Sequence, residues 1–387
     1  KVAAATETVI VTATPTVDTI KTEMSSTLNE ITITNTPILG RKILDLLTLT
    51  PWVSIVQGPD GDEITFNGQR GIFNNFSLDG GDFMNGFFGE QAGGQRVAID
   101  ITLEAVKEFQ VVASGANAEF GRTAGGVVNI ITRSGTNEFH GSLFHYQRHE
   151  NLSSNTSDGK PLKDFHREQF GGTLGGPIIK DKAFYFFAIE RITGNLQRDN
   201  LSAQIGPTAC TVSAPVITNP AHEALINSNP DCQRLALTNF IRTTRSQEEA
   251  LPVRRPIYTT ALLGKVDWNV TPSNQLALSY NFNASKKVNE TFDVATYGNS
   301  ANGIEGDFTK IHVFNVNLFS SLSSTKVNEA HFTYLREVRP RAAVNSNVPA
   351  DTGMGFAPSF RFGNPFFLAP NIDETFWRSQ IKDNFSI

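Results

Sequence analysis

Between Tyr258 and Val270 the side chains alternate in character at almost every step, and this constrains the fold more than any other feature of the chain. In an extended strand successive side chains point to opposite faces. Tyr258, Thr260, Leu262, Gly264, Val266, Trp268 and Val270 therefore share one face, and Thr259, Ala261, Leu263, Lys265, Asp267 and Asn269 the other. Pro272-Ser273-Asn274 then turns the chain into Leu276, Leu278, Tyr280 and Phe282, interleaved with Gln275, Ser279, Asn281 and Asn283. The pattern predicts a hairpin of two strands of about 10 residues, the length of a tilted strand crossing a bilayer. A second hairpin is expected from His312–Leu322 and Val327–Val338, joined through Ser323 to Lys326. No window of the chain approaches the ~18 consecutive apolar residues of a membrane-spanning helix. If this protein sits in a bilayer, it does so as a β-barrel.

The same reading gives eight strands, near 139–149, 165–177, 182–193, 257–270, 274–285, 309–322, 326–338 and 378–387. The turns near 178–181, 271–273 and 323–325 are short, whereas 194–256, 286–308 and 339–377 are long. Short turns at one end and long loops at the other suit a transmembrane barrel. A soluble β-sandwich also alternates, but it does not require long loops at one end only.

Residues 1 to about 135 are patterned differently. Val9-Ile10-Val11 reads as a short exposed strand. Ile43, Leu44, Leu46 and Leu47 cover one face of a short helix that Pro51 stops. Ile64–Gly71 and Phe76–Gly81 each run from a strand into a glycine turn. Leu103–Val112 reads as a helical turn followed by a strand, and Gly125–Arg133 as a strand after a double glycine. A compact α+β domain of short strands is expected here.

Composition narrows the function classes. Charged residues are 18% of the chain, and the net charge of −5 leaves no basic face for nucleic acid. Cys210 and Cys232 lie in a polar, loop-like stretch, where one disulfide closing a loop is expected over two free thiols. Two cysteines without a second pair do not make a zinc site. The seven histidines, among them His140, His145 and His149, form no His-Glu-x-x-His motif. Neither a nucleophile elbow nor a phosphate-binding loop is present. No enzyme activity, cofactor or metal is expected, and Asp60, Asp62 and Glu63 lack the ladder of a calcium loop.

Several segments carry a family resemblance. Glu7, Thr8, Val9, Ile10, Val11, Thr12 and Ala13 resemble a TonB box. Gly68–Gly71, Leu78–Gly81 and Leu103–Phe109 look like successive plug motifs, and Glu119–Asn137 resembles the end of a plug. Phe139–Phe144, Gln169–Pro177 and Lys180–Phe187 then look like the first three barrel strands of the Oar-like branch of TonB-dependent outer-membrane receptors. The motifs occur in family order over residues 7–190, and beyond them the resemblance rests on strand pattern alone.

The resemblance implies a TonB-box-like segment at 1–14, a plug at 15–137, and transmembrane barrel strands at 138–387. It also implies an integral protein of the bacterial outer membrane with its plug facing the periplasm. Its partners would be the periplasmic domain of TonB, outer-membrane lipid, and an imported siderophore, oligosaccharide or peptide. A plugged transporter barrel has about 22 strands; with eight read here, a fragment is expected. On the plug, Asp79, Asp82, Asn85, Phe87 and Phe88 are candidate ligand contacts, although turn formation by Asp79 and internal packing of the phenylalanines are the favoured reading. Arg70, Arg122 and Arg133 are candidates for contacts to the barrel wall. Adhesion, surface organisation or protein export by the same architecture is the alternative function.

Overall fold

The computed structural model describes residues 23–387 apart from 59–60, 88, 95–100, 117–119, 122, 157–158, 199–205, 247, 249–252, 290–303, 306–307, 344–351, 355–359 and 363–371. The segment resembling a TonB box, residues 7–13, lies outside the described residues.

The N-terminal region comprises β1 (Met24–Leu28), α1 (Glu30–Asn35), α2 (Ile43–Leu47), β2 (Val53–Gly58), β3 (Gly61–Phe66), β4 (Asn75–Leu78), β5 (Gly81–Asp82), β6 (Val106–Ser114) and β7 (Val127–Thr132). Five of these strands form one sheet in the order β1-β6-β7-β4-β5, while β2 and β3 pair separately. The β4–β7 pairing is parallel and the rest of that sheet is antiparallel. Local chemistry sets the boundaries. The Asn29 side chain accepts from Thr32 N and so caps α1. All four apolar residues of α2, Ile43, Leu44, Leu46 and Leu47, are buried. With Phe66, Phe76, Phe109, Val111, Val128 and Ile130 they form an ordinary apolar core.

The second region is a wall of long strands: β8 (His140–His149), β9 (His166–Ile179), β10 (Ala183–Arg198), β11 (Val253–Thr271), β12 (Asn274–Lys287), β13 (Ile304–Glu305), β14 (Thr309–Ser323), β15 (Lys326–Ala343) and β18 (Ile372–Ser386). They form a nine-stranded sheet. Apart from two-residue β13, which pairs with β15, each strand is antiparallel to the next in sequence. The eight long strands follow the alternating segments of the sequence. Several run further than the alternation shows, with β10 reaching Arg198, β15 reaching Ala343 and β18 beginning at Ile372.

The stretch read as loop 194–256 contains two helices, α3 (Pro220–Ser228) and α4 (Pro230–Arg245). Each starts at an Asn-Pro step in which the asparagine caps the helix and proline occupies its first turn. A disulfide joins Cys210 to Cys232, with a Cα–Cα separation of 4.9 Å. It packs with Ile226 and Ala236 into a small core of its own. The loop read at 339–377 carries a short hairpin, β16 (Thr352–Met354) with β17 (Phe360–Phe362).

The two faces of the wall differ sharply. Buried inward positions include Thr259, Ser279, Asn281, Asn283, Ser285, Asn315, Thr333, Glu337 and Arg339. Phe187, Ile189, Trp268, Tyr280, Phe314, Trp377, Ile381 and Phe385 are exposed on the outer face. A wall with polar side chains inside and a continuous apolar band outside is stable where its outer face meets hydrocarbon. In water that band would far exceed the apolar patch a monomer tolerates. This observation decides between a barrel wall and a sandwich.

Candidate functional site

The two regions meet at the turn between β4 and β5. Asp79 and Gly80, with φ of 50° and 83°, link the paired residues Leu78 and Gly81. Asp-Gly is well suited to a two-residue hairpin turn with both central φ positive. A Cβ on Gly81 would lie 2.2 Å from Thr333 Oγ1 and 2.6 Å from Asn315 Oδ1. Glycine is therefore what lets the hairpin lie flush against the inner face of β14 and β15. The wall satisfies the hairpin backbone there: Asn315 Nδ2 donates to Leu78 O at 3.4 Å, and Asn317 Nδ2 to Asp79 O at 3.0 Å.

Asp79 sits in the seam. Its carboxylate accepts from Thr132 N at 2.9 Å, Thr132 Oγ1 at 2.8 Å and Ser279 Oγ at 3.3 Å. Lys265 Nζ stands 4.0 Å from it and donates to Thr132 O at 3.3 Å. A candidate ligand carboxylate is thus engaged in holding the turn, β7 and the wall together.

Beyond the turn, residues 82–87 and 89–94 climb the inner face. Asp82 Oδ1 pairs with Arg378 Nη2 at 2.6 Å, and its N–H donates to Gln380 Oε1 at 3.1 Å. Arg378 also donates to Met84 O at 3.1 Å. Glu337 accepts from Asn85 Nδ2 at 2.9 Å and Gly93 N at 2.8 Å, and pairs with Arg339 Nε at 2.9 Å. Arg339 in turn pairs with Glu90. From Thr333 to Arg339 these contacts follow β15 for roughly 20 Å at a strand's rise per residue. The loop supplies mainly carboxylates and the wall mainly cations. Glu337 is the exception, and neighbouring Arg339 compensates its charge.

The candidate residues divide accordingly. Asp79, Asp82 and Asn85 all face the wall, and Phe83 is buried beneath the loop. Phe87 is 80% exposed at the loop tip, while Phe88 lies outside the described residues. Of the three arginines expected to reach the wall, Arg133 donates to Val106 O at 3.2 Å and pairs with Glu30 at 3.4 Å, both within the N-terminal region. Arg70 is exposed on that region's surface, and Arg122 lies outside the described residues. Most of the cations that bridge the seam belong to the wall: Lys265, Arg339 and Arg378 project from it toward loop carboxylates, while Arg41 reaches β8 from the N-terminal side. They were legible in principle, since Glu337 and Arg339 share the inward face of one strand by their spacing of two.

The sequence model of the outer membrane beta barrel domain family matches residues 131–385. Over 141 residues the chain is 34% identical to the TonB-dependent transporter Oar of Myxococcus xanthus, covering 33% of this chain and 12% of that protein. Over 115 residues it is 34% identical to the probable TonB-dependent siderophore receptor PirA of Acinetobacter baumannii, covering 28% of this chain and 13% of that protein. Among solved structures, the fold is similar to a mutant of the ferric enterobactin receptor PfeA from Pseudomonas aeruginosa in complex with enterobactin. That likeness has a TM-score of 0.59 at 15% identity and covers 93% of this chain and 46% of the other. The outer membrane transporter YddB from Escherichia coli is similar with a TM-score of 0.56 at 11% identity, covering 93% of this chain and 45% of the other. The chain thus spans under half the length of these two proteins. An inward polar wall, an outward apolar band and a family match over the same strands lead to one conclusion: the chain belongs to the outer membrane beta barrel domain family and is an integral outer-membrane protein.

Proposed function

We propose that the chain acts within a TonB-dependent receptor that imports a ligand across the outer membrane, with residues 15–137 as its plug and the long strands as an arc of its barrel. The observation that carries this reading is the climb of residues 79–87 and 89–94 along the inner wall through charge pairs and hydrogen bonds. A plug seated by polar contacts can exchange them for water when it is pulled, whereas one seated by a large apolar interface would resist. Sheet edges do not stay unpaired in lipid, so the arc works as part of a closed barrel.

Energy would arrive through residues 7–13. The β-branched Val9, Ile10 and Val11 suit an extended peptide that adds a strand to the exposed sheet edge of TonB's periplasmic domain. Ligand would meet the loop tip around Phe87 and the long outer loops. The test uses the full-length receptor in cells, with cysteine at Val9 or Val11 and a second cysteine on TonB's edge strand. Disulfide trapping that increases when ferric enterobactin or another candidate ligand is added supports energised import. Its absence under all conditions, in correctly inserted receptor, would overturn the reading in favour of adhesion or export. Val9→Pro is expected to abolish uptake and leave surface binding intact.

A further inference from the structure

Two adjoining cavities lie on the inner face of the wall, at the ends of β8 to β11 next to the long loops. One, of about 510 Å³, lies between residues 34–41 and the strands and is lined by Arg41, Tyr146, Arg148, Arg167 and Gln169 among others. The other, of about 340 Å³, is walled by Leu162, Phe165, Ile192 and Ile257, with His166 and Asn195. Arg148 and Arg167 line both and so join them.

The polar groups here are held but not used up. Arg148 lies over the Phe165 ring, 5.0 Å from its centroid, and forms no ion pair among the described residues. Arg167 donates to Gly40 O at 3.0 Å. Arg41 is fixed by Glu104 at 2.8 Å and lies 4.1 Å from the Tyr146 ring centroid, yet its buried Nε has no hydrogen-bond partner. Glu190, a buried carboxylate on the same wall, is engaged by Gln169. Asn195 is 4% exposed; its Nδ2 donates to Asp164 O at 2.7 Å, while Oδ1 is buried without a partner. A buried donor left unsatisfied is costly, and an oxygen of an anionic ligand would relieve Arg41 Nε. Arginine pairs are suited to planar oxyanions, and the Phe165–Ile192–Ile257 side is suited to a ring or short acyl body.

We infer that these cavities form a binding site for a small amphipathic anion, an aromatic or acyl carboxylate, with its oxyanion on Arg148 and Arg167 and its apolar body against Phe165, Ile192 and Ile257. The site rests on the importer reading for its biological role, but binding is testable without TonB.

The experiment is ¹⁹F NMR titration of detergent-solubilised full-length protein with 4-(trifluoromethyl)benzoate. Its neutral counterpart 4-(trifluoromethyl)benzyl alcohol and inorganic phosphate serve as competitors. Saturable binding of the benzoate, with no competition from the alcohol, is expected. Losing one charge-assisted contact in Arg148→Gln should weaken it about tenfold. Ile257→Trp, which fills the apolar chamber and leaves every charge in place, should abolish it. Full displacement by phosphate at equal concentration would reduce the site to a simple anion hole and overturn the amphipathic assignment. Equal binding of the alcohol, or unchanged binding in both variants, would overturn the site altogether. Loss of binding in the variants with TonB trapping at Val9 intact upholds the site, while binding without any TonB trapping sinks only the importer reading.

Discussion

The strands β6 and β12 bury opposite kinds of side chain, β6 its apolar residues on both faces and β12 the polar residues of one face. In β6, Val106, Phe109, Val111 and Val112 are buried. In β12 the buried positions are Ser279, Asn281, Asn283 and Ser285, while Leu276, Leu278, Tyr280 and Phe282 face outward. The period of two fixes which residues share a face, but the surroundings decide which face becomes interior. The N-terminal sheet folds against water and hides its apolar side. The wall folds against hydrocarbon outside and a charged loop inside, so its polar side is hidden. The seam between them is built from ion pairs and amides together with apolar contacts from Phe186, Leu263, Ile311, Val313 and Leu335.

This contrast predicts a graded set of responses. Phe109→Ala, in the fully buried core of the N-terminal sheet, should cost about 3–5 kcal/mol. Hydrogen exchange in full-length protein should then show faster opening of β6 and β7, with β12 and β14 unaffected. Loss of protection across the wall as well would mean that the two regions fold as one unit. Leu278→Arg, on the apolar band, should cost about 2–4 kcal/mol if it lies near the bilayer midplane. Urea unfolding from lipid vesicles measures this, and an unchanged midpoint would place Leu278 outside the hydrocarbon. Glu337→Gln removes the charge facing Arg339 but keeps the shape, and should weaken the seam by about 2 kcal/mol. Faster exchange of the Gly93 amide is the readout; no change there would show that the loop does not depend on Glu337. Arg254→Ala breaks an exposed pair with Asp164 and should change stability by less than about 0.5 kcal/mol, a control that a larger loss would invalidate.

Much of the wall was legible in the sequence, since register in an alternating strand is tied to its side-chain pattern. The β11–β12 and β14–β15 hairpins fall where Pro272-Ser273-Asn274 and Ser323–Lys326 indicate. α3 and α4 were missed although Asn219-Pro220 and Asn229-Pro230 mark their starts. They lie between long strands in a polar stretch, and the Cys210–Cys232 disulfide, expected from the sequence, does not by itself mark a helix. The candidate site was half legible. Asp79, Asp82 and Asn85 stood out as polar residues in a glycine-rich loop, but their partners Lys265, Arg378 and Glu337 follow at sequence separations of some two to three hundred residues.

The sequence by itself determined the strands, their faces and the glycine turn that brings Asp79 to the wall, because these depend on local dihedral preference and a period of two. Only the tertiary structure decided which face is interior, which charges meet across the seam, and that Asn195, Arg148 and Arg167 converge on one pair of cavities. Those outcomes depend on distances between strands remote in sequence, and on the medium against which each face is packed.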